Sequence, residues 1–361
     1  MNDIFWGRSL HIKDFDQLKF NEFLSLEKSE LEKLCKDSKG RLKHIVRVEH
    51  FDLEFIDEIT TIAKTLKKCF RGHPRWINGL LSEFSVLNYF QQPSSRTFLS
   101  FSSAESLMGM RREEVRDIST SSTMKGESDK DALRTISSYF DAIVCRHESD
   151  IYDLFAVWVM KNSDREIPII NAGSGKSEHP TQALLDIFTI KESFNKPVNK
   201  LKIGFVGDCL RGRTVHSLAK LLSNYAGVHL SFVAPSNLQL DQETHSYLKD
   251  KNIEISFENE SLLNILTELD VVYMTRIQDE HGGEGDYSEG FKFTEHHLNS
   301  MKEGAILMHP MPKREEIDPK LDFLKRDNRI MYWRQQRNGM WVRAALLAYL
   351  FDKSETILNL E

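Results

Sequence analysis

Beyond about residue 80, the apolar positions fall into short β-rich runs separated by stretches with apolar residues at helical spacing. That alternation is expected of a mainly parallel sheet covered on both faces. In a first α/β unit, strands are expected over Phe84–Phe90, Glu114–Ile118, Ala142–Cys145 and Ile167–Asn171. In a second unit they are expected over Leu201–Val206, His229–Val233, Ile253–Ser256, Val271–Met274 and Ala305–Met308. Leu184, Leu185, Ile187 and Phe188 recur at helical spacing, so His179–Phe194 reads as a helix linking the units. Val342–Ile357 reads as a final helix crossing back onto the first unit. Residues 1–80 are mostly helical in pattern, with Glu- and Lys-rich stretches such as Leu24–Lys39. The expected fold is α/β: two doubly wound parallel-sheet domains linked by helices. Its expected divisions are 1–178 with an extended helical N-terminal region, a linking helix at 179–195, a second domain at 196–335, and a returning C-terminal helix at 336–361.

In open α/β sheets ligands sit beyond the carboxyl ends of the strands, so the loops found there carry the candidate chemistry. Six of them hold side chains suited to an anion: Ser94-Ser95-Arg96-Thr97, Ser121 and Ser122 with Lys125-Gly126-Glu127, Arg146-His147, His179-Pro180-Thr181-Gln182, Arg211-Gly212-Arg213-Thr214, and Thr275-Arg276-Ile277-Gln278. In the first, three hydroxyls and a planar five-donor guanidinium stand where a helix begins, and its leading N–H groups lack intrahelical partners. A seventh loop, His309-Pro310-Met311-Pro312, has its backbone fixed by two prolines; it is expected to leave the Met311 N–H free and expose carbonyls that accept from an amine. Taken singly, each loop has a plain alternative: a surface turn at Lys125, a helix cap at His179, ordinary ion pairs at Arg213 and Arg276. Their joint position at one edge of two sheets favours a shared site.

Composition narrows the classes. With 40% hydrophobic and 28% charged residues, the 361-residue chain is globular in composition and long enough for about two cores. A net charge of −6 argues against a general nucleic-acid binder. Cys35, Cys69, Cys145 and Cys209 are scattered without a C-x-x-C pair, which fits a reducing cytoplasm. The N-terminus lacks a basic segment followed by an apolar core, and no run approaches the roughly 20 apolar residues of a membrane span. Gly173-Ser-Gly-Lys-Ser177 imitates a nucleotide-binding P-loop, but the position that needs glycine is Ile170. The histidines, including His296-His297, show no metal-ligand spacing with carboxylates, so no metal is expected.

Together these motifs resemble the aspartate carbamoyltransferases, catalytic-subunit members of the aspartate/ornithine carbamoyltransferase superfamily, from about Phe84 to the C-terminus. Pro93-Ser-Ser-Arg-Thr97 resembles the carbamoyl-phosphate loop of all transcarbamoylases. His179-Pro-Thr-Gln-Ala-Leu-Leu-Asp186, Gly212-Arg-Thr-Val-His-Ser-Leu218, Met274-Thr-Arg-Ile-Gln278 and His309-Pro-Met-Pro312 resemble the aspartate branch. The Ser-Met-Gly segment and His-Cys-Leu-Pro loop of the ornithine branch are absent from the sequence.

The resemblance implies carbamoyl transfer from carbamoyl phosphate to the α-amine of L-aspartate, the committed step toward pyrimidines, with no cofactor. Residues 1–178 would then bind carbamoyl phosphate and 196–335 aspartate. Ser94, Ser95, Arg96 and Thr97 would hold the phosphate, Thr97, Arg146 and His179 the carbonyl oxygen, and Gln182 the carbamoyl amine. Arg96, Thr97, Arg146 and His179 are the implied catalytic set. Arg213, Arg276 and Gln278 would bind the aspartate carboxylates, with Met311 and Pro312 accepting from the amines. Ser121 and Lys125 would reach a neighbouring subunit's site, Lys125 toward aspartate, in a homotrimer that has room for a regulatory or pathway-enzyme partner but none for nucleic acid or membrane. Where the family has Glu, Thr and Arg, this chain has Gln92, Ser95 and His281, and its N-terminal region is longer by about 40 residues. Gln92 and His281 leave open a different amine acceptor, and a weakly active paralogue serving as a binding or assembly subunit stands as a second alternative.

Overall fold

A computed structural model describes residues 10, 12–72, 77–116, 126–175, 178–194, 196–276, 289–324 and 327–359. The chain divides into two compact units, Met1–Thr181 with Met340–Glu361, and Gln182–Gly339. The first contains helices α1 (Asp14–Leu24), α2 (Lys28–Leu34) and α3 (Leu53–Gly72), followed by β1 (Ser85–Phe90), α4 (Ser95–Met108), β2 (Arg111–Val115), α5 (Asp129–Ser137), β3 (Ala142–Arg146), α6 (Tyr152–Lys161) and β4 (Ile169–Asn171). Helix α7 (Pro180–Ser193) crosses the division. The second unit continues with β5 (Lys202–Val206), α8 (Arg213–Leu222), β6 (His229–Val233), α9 (Gln242–Asp250), β7 (Glu254–Glu258), β8 (Val271–Met274), α10 (Glu295–Ser300) and β9 (Ile306–Met308). Helix α11 (Tyr332–Leu350) crosses the division again, and α12 (Ser354–Leu358) follows it.

Both sheets are parallel. Their orders are β2-β1-β3-β4 and β7-β6-β5-β8-β9. In each, the chain winds outward in both directions from a central pair, β1 with β3 and β5 with β8. The central strands are buried on both faces, which is why they read as near-continuous apolar runs. At each central pair the connecting loops diverge to opposite faces, leaving a crevice at the carboxyl ends.

Two elements depart from the sequence expectation. Strand β2 lies at Arg111–Val115 rather than Glu114–Ile118, paired Ser85↔Arg111 through Tyr89↔Val115. It is an exposed edge strand, so its Arg-Arg-Glu-Glu face carries no apolar signal. The single helix expected over Val342–Ile357 is two. Helix α11 starts at Tyr332, and the chain breaks after Leu350, where Asp352 takes a left-handed φ of 54°.

The N-terminal helices belong to the first unit. Phe20 of α1 is fully buried, with its ring 5.2 Å from Phe155 and 5.6 Å from Trp158 of α6; burial of such a ring stabilises by about 1.5–3 kcal/mol. Lys130 Nζ donates to both carboxylate oxygens of Asp16 at 2.7 Å. Farther on, Ile45 N–H donates to Ile169 O and Asn171 N–H to Ile45 O, each at 2.8 Å, so this segment pairs beside β4.

Candidate active site

In the first unit, pairing of Phe90 with Arg146 brings the ends of β1 and β3 side by side. The N–H groups of Gln91 and Gln92 both donate to Arg146 O, at 2.8 and 3.3 Å, and hold the chain as it leaves β1. It then turns into α4. Ser94 is the N-cap, in extended backbone, and its hydroxyl makes no cap hydrogen bond. The first turn therefore relies on acceptors outside the helix for its N–H groups, with Ser95 and Arg96 exposed and Thr97 buried. Gln92 Oε1 is buried with no hydrogen-bond partner among the described residues.

Thr97 Oγ1 lies 3.3 Å from His179 Nε2, both side chains buried. Buried Arg146 donates from Nη1 to Ala172 O at 3.0 Å. Gly173 sits beneath both: a Cβ there would stand 2.6 Å from Arg146 Nη1 and 3.1 Å from His179 Cδ2, and its φ is +104°. Asn171 Oδ1 accepts from Gly173 N–H at 2.7 Å and fixes this turn. The glycine of the P-loop look-alike thus serves close approach of a guanidinium and an imidazole. His147 faces inward instead. It stacks on Tyr152 at 4.1 Å and accepts from Ser149 N–H at 2.9 Å.

In the second unit, pairing of Val206 with Met274 sets the loops after β5 and β8 side by side. Gly207 has φ +115°, and a Cβ would stand 2.4 Å from Thr275 O, so the two loops meet at backbone distance. Arg211 is tied to buried Asp208, donating from N at 2.9 Å and Nε at 2.8 Å. Arg213 opens α8 and Arg276 lies two residues beyond β8, both half-buried. Gln182 is buried and donates from Nε2 to Asp186 Oδ1 at 2.9 Å. Ser121, Lys125, Gln278 and His281 lie outside the described residues.

The 309–312 loop corrects one expectation: the Met311 N–H is not free. It donates to His309 Nδ1 at 2.8 Å. The ring nitrogen that accepts must be unprotonated, so His309 carries its proton on Nε2, 2.8 Å from Glu316 Oε1. Burial raises the Glu316 carboxyl, but bonds from His309 and the Arg314 N–H outweigh this and hold it below the ordinary value. The loop is therefore pinned by its own histidine, with Met311 at φ +64°.

Two family models match the chain: the carbamoyl-P binding domain of aspartate/ornithine carbamoyltransferase over residues 43–192, and its Asp/Orn binding domain over 199–350. The chain belongs to this family. It is 37% identical over 321 residues to aspartate carbamoyltransferase 1, chloroplastic, of Pisum sativum, covering 86% of this chain and 79% of that one. It is 36% identical to the catalytic subunit of Methanocaldococcus jannaschii aspartate transcarbamoylase, whose solved structure superposes with a TM-score of 0.77, covering 87% of this chain and 99% of that one. The Trypanosoma cruzi aspartate transcarbamoylase in complex with carbamoyl aspartate and phosphate gives a TM-score of 0.76 at 32% identity, covering 84% and 94%.

Within this transcarbamoylase fold, the structure adds residues that sequence reasoning passed over. Arg343 of α11 donates to Ser100 Oγ of α4 at 2.7 Å and lies 4.9 Å over the Phe101 ring, anchoring the helix that carries Arg96. Asp186, Gln335 and Glu316 are fully buried polar residues. The available signal was Asp186 inside the His179–Asp186 motif, one helical turn after Gln182.

Proposed function

We propose that the protein transfers the carbamoyl group of carbamoyl phosphate to the α-amine of L-aspartate. The observation that carries this reading is the gathering of Thr97, Arg146 and His179 around Gly173, beside the start of α4. Ser94, Ser95, Arg96 and Thr97 hold the phosphate, which the helix terminus and guanidinium suit. Thr97, Arg146 and His179 polarise the carbonyl oxygen and stabilise the oxyanion that forms when the amine adds to the carbonyl carbon. Gln182 accepts from the carbamoyl amine. Arg213, Arg276 and Gln278 take the two carboxylates of aspartate by guanidinium and amide donors. The carbonyls at Met311 and Pro312 accept from the amines. Collapse of the adduct breaks the C–O bond to phosphate, and the departing phosphate takes the amine proton. Positioning and charge stabilisation do the chemistry, with no side-chain nucleophile.

The relatives named chloroplastic and the four free cysteines both suit a reducing compartment, cytosol or plastid. Among the described residues no helix is long and apolar enough to cross a membrane. A homotrimer in which Ser121 and Lys125 complete a neighbour's site is part of the reading. It is tested by mixing Lys125→Ala with Arg96→Ala subunits, which should restore activity after subunit exchange.

The direct test supplies carbamoyl phosphate with aspartate, or with a panel of other amines, and measures carbamoylated product. Failure with aspartate alongside turnover of another amine would overturn the proposed acceptor.

A further inference from the structure

Three buried polar side chains of the second unit, Gln182, Tyr273 and Gln335, converge on one carboxylate that has no substrate role in the mechanism above. Asp186 lies on α7 and is fully buried. Its Oδ1 accepts from Gln182 Nε2 at 2.9 Å and from Gln335 Nε2 at 2.7 Å; its Oδ2 accepts from the Tyr273 hydroxyl at 2.7 Å. A carboxylate flanked by donors decides which end of each amide faces it. Gln182 must turn its NH2 inward, which leaves Oε1 pointing away from Asp186 as an acceptor. Gln335 must do the same, and its Oε1 takes the N–H of His309 at 2.8 Å. On the other side, Thr214, the neighbour of Arg213, hydrogen-bonds the Tyr273 hydroxyl.

We infer that Asp186 is the positioning residue of the transfer, orienting Gln182 so that its carbonyl oxygen meets the carbamoyl amine. Through Gln335 it also ties down the 309–312 loop, and through Tyr273 the start of α8. The inference rests on the carbamoyl-transfer reading and deepens it: three candidate substrate loops share one buried anchor. A neutral acceptor would not serve equally. An amide at this position presents one oxygen and one NH2, and that NH2 must face a donor from Gln182, Gln335 or Tyr273.

The test is a double-mutant cycle in the full-length chain. Asp186→Asn should lower kcat/KM for carbamoyl phosphate by roughly 10- to 100-fold, the scale of one hydrogen bond to a charged group, with KM for aspartate changing far less. Combined with Gln182→Ala, the loss should fall well short of the product of the two single losses, because part of the Asp186 effect passes through Gln182. A role confined to helix packing would instead multiply the two losses, and that result overturns the inference. If Asp186→Asn does not fold, Tyr273→Phe, which removes one donor and keeps the ring, goes through the same cycle with the same deciding outcome. Wild-type protein unable to make carbamoyl aspartate would overturn the functional reading; active wild type with multiplying losses overturns only the role of Asp186.

Discussion

Asn88 Nδ2 on β1 donates to Glu105 Oε2 on α4 at 2.7 Å, while Glu105 Oε1 and Asn88 Oδ1 are both buried without hydrogen-bond partners among the described residues. Two orphaned acceptors on one pair point to a missing proton, because a protonated Oε1 is a donor. Burial pushes the Glu105 carboxyl up to about 7, against weaker opposing pulls from the Asn88 bond and Arg112. Its folded value is above its unfolded one. The stability it contributes is therefore complete below pH 4.5 and is lost as pH rises to about 7, a loss of roughly 3 kcal/mol for a buried carboxyl. Glu105→Gln keeps the shape and removes the titration. Denaturant midpoints at pH 5 and pH 8 should fall between the two conditions for wild type by more than for the variant. Equal falls would refute a neutral Glu105.

Gly173 makes a sharper prediction about the site. A methyl at 2.6 Å from Arg146 Nη1 must displace the guanidinium, and a φ of +104° already disfavours a side chain. Displacement by about 1 Å costs on the order of 100-fold in rate when it disturbs reacting geometry. Gly173→Ala should accordingly lose about two decades in kcat while remaining folded by circular dichroism. Near-normal turnover would mean that Arg146 does not act at the carbonyl.

The architecture was legible where burial is two-sided. His229–Val233 and Val271–Met274 occupy the expected residues because both faces of those strands are covered, so the apolar run covers nearly the whole strand. Glycine, proline and serine punctuation marked the loops at the strand ends, so Ser94, Arg96, Arg146, His179, Arg213 and Arg276 could be placed at or beyond those ends from position. Polar residues inside helices were harder. Gln335 and Asn338 hide the first turns of α11, since a buried amide bonded to Asp186 or Thr189 has the same one-dimensional signature as an exposed one. Pairing of the Met311 N–H with His309 was equally invisible, because it depends on a tautomer that Glu316 sets from outside the four-residue loop.

A cluster remote from this chemistry contributes to stability in acid. Glu166 Oε1 lies 2.8 Å from Lys161 Nζ, 3.0 Å from His44 Nε2 and 3.5 Å from Lys43 Nζ. Burial raises its carboxyl, but the hydrogen bonds from His44 and Lys161 outweigh that and bring it down to about 2. With the folded value below the unfolded 4.5, the stabilisation is present above pH 4.5 and fades as pH falls toward 2. Acid titration followed by tryptophan fluorescence should show a shallower transition in this window for Glu166→Gln. Superimposable transitions would remove the cluster from the account.

Arg96 and Arg276 should separate the two substrates. Arg96 is exposed at the opening of α4, where a phosphate gains both the guanidinium fork and the helix terminus, so Arg96→Ala should abolish carbamoyl-phosphate binding and nearly all turnover. Arg276 follows β8 in the other unit, and a lost guanidinium–carboxylate interaction there costs about 1.5–3 kcal/mol, which is roughly 10- to 150-fold. Arg276→Ala should therefore raise KM for aspartate by that factor and leave carbamoyl-phosphate affinity, measured by calorimetry in the absence of aspartate, close to wild type. If affinity for both substrates collapsed together, the assignment of phosphate to one arginine and carboxylate to the other would be wrong, because neither site could then be built independently of its counterpart.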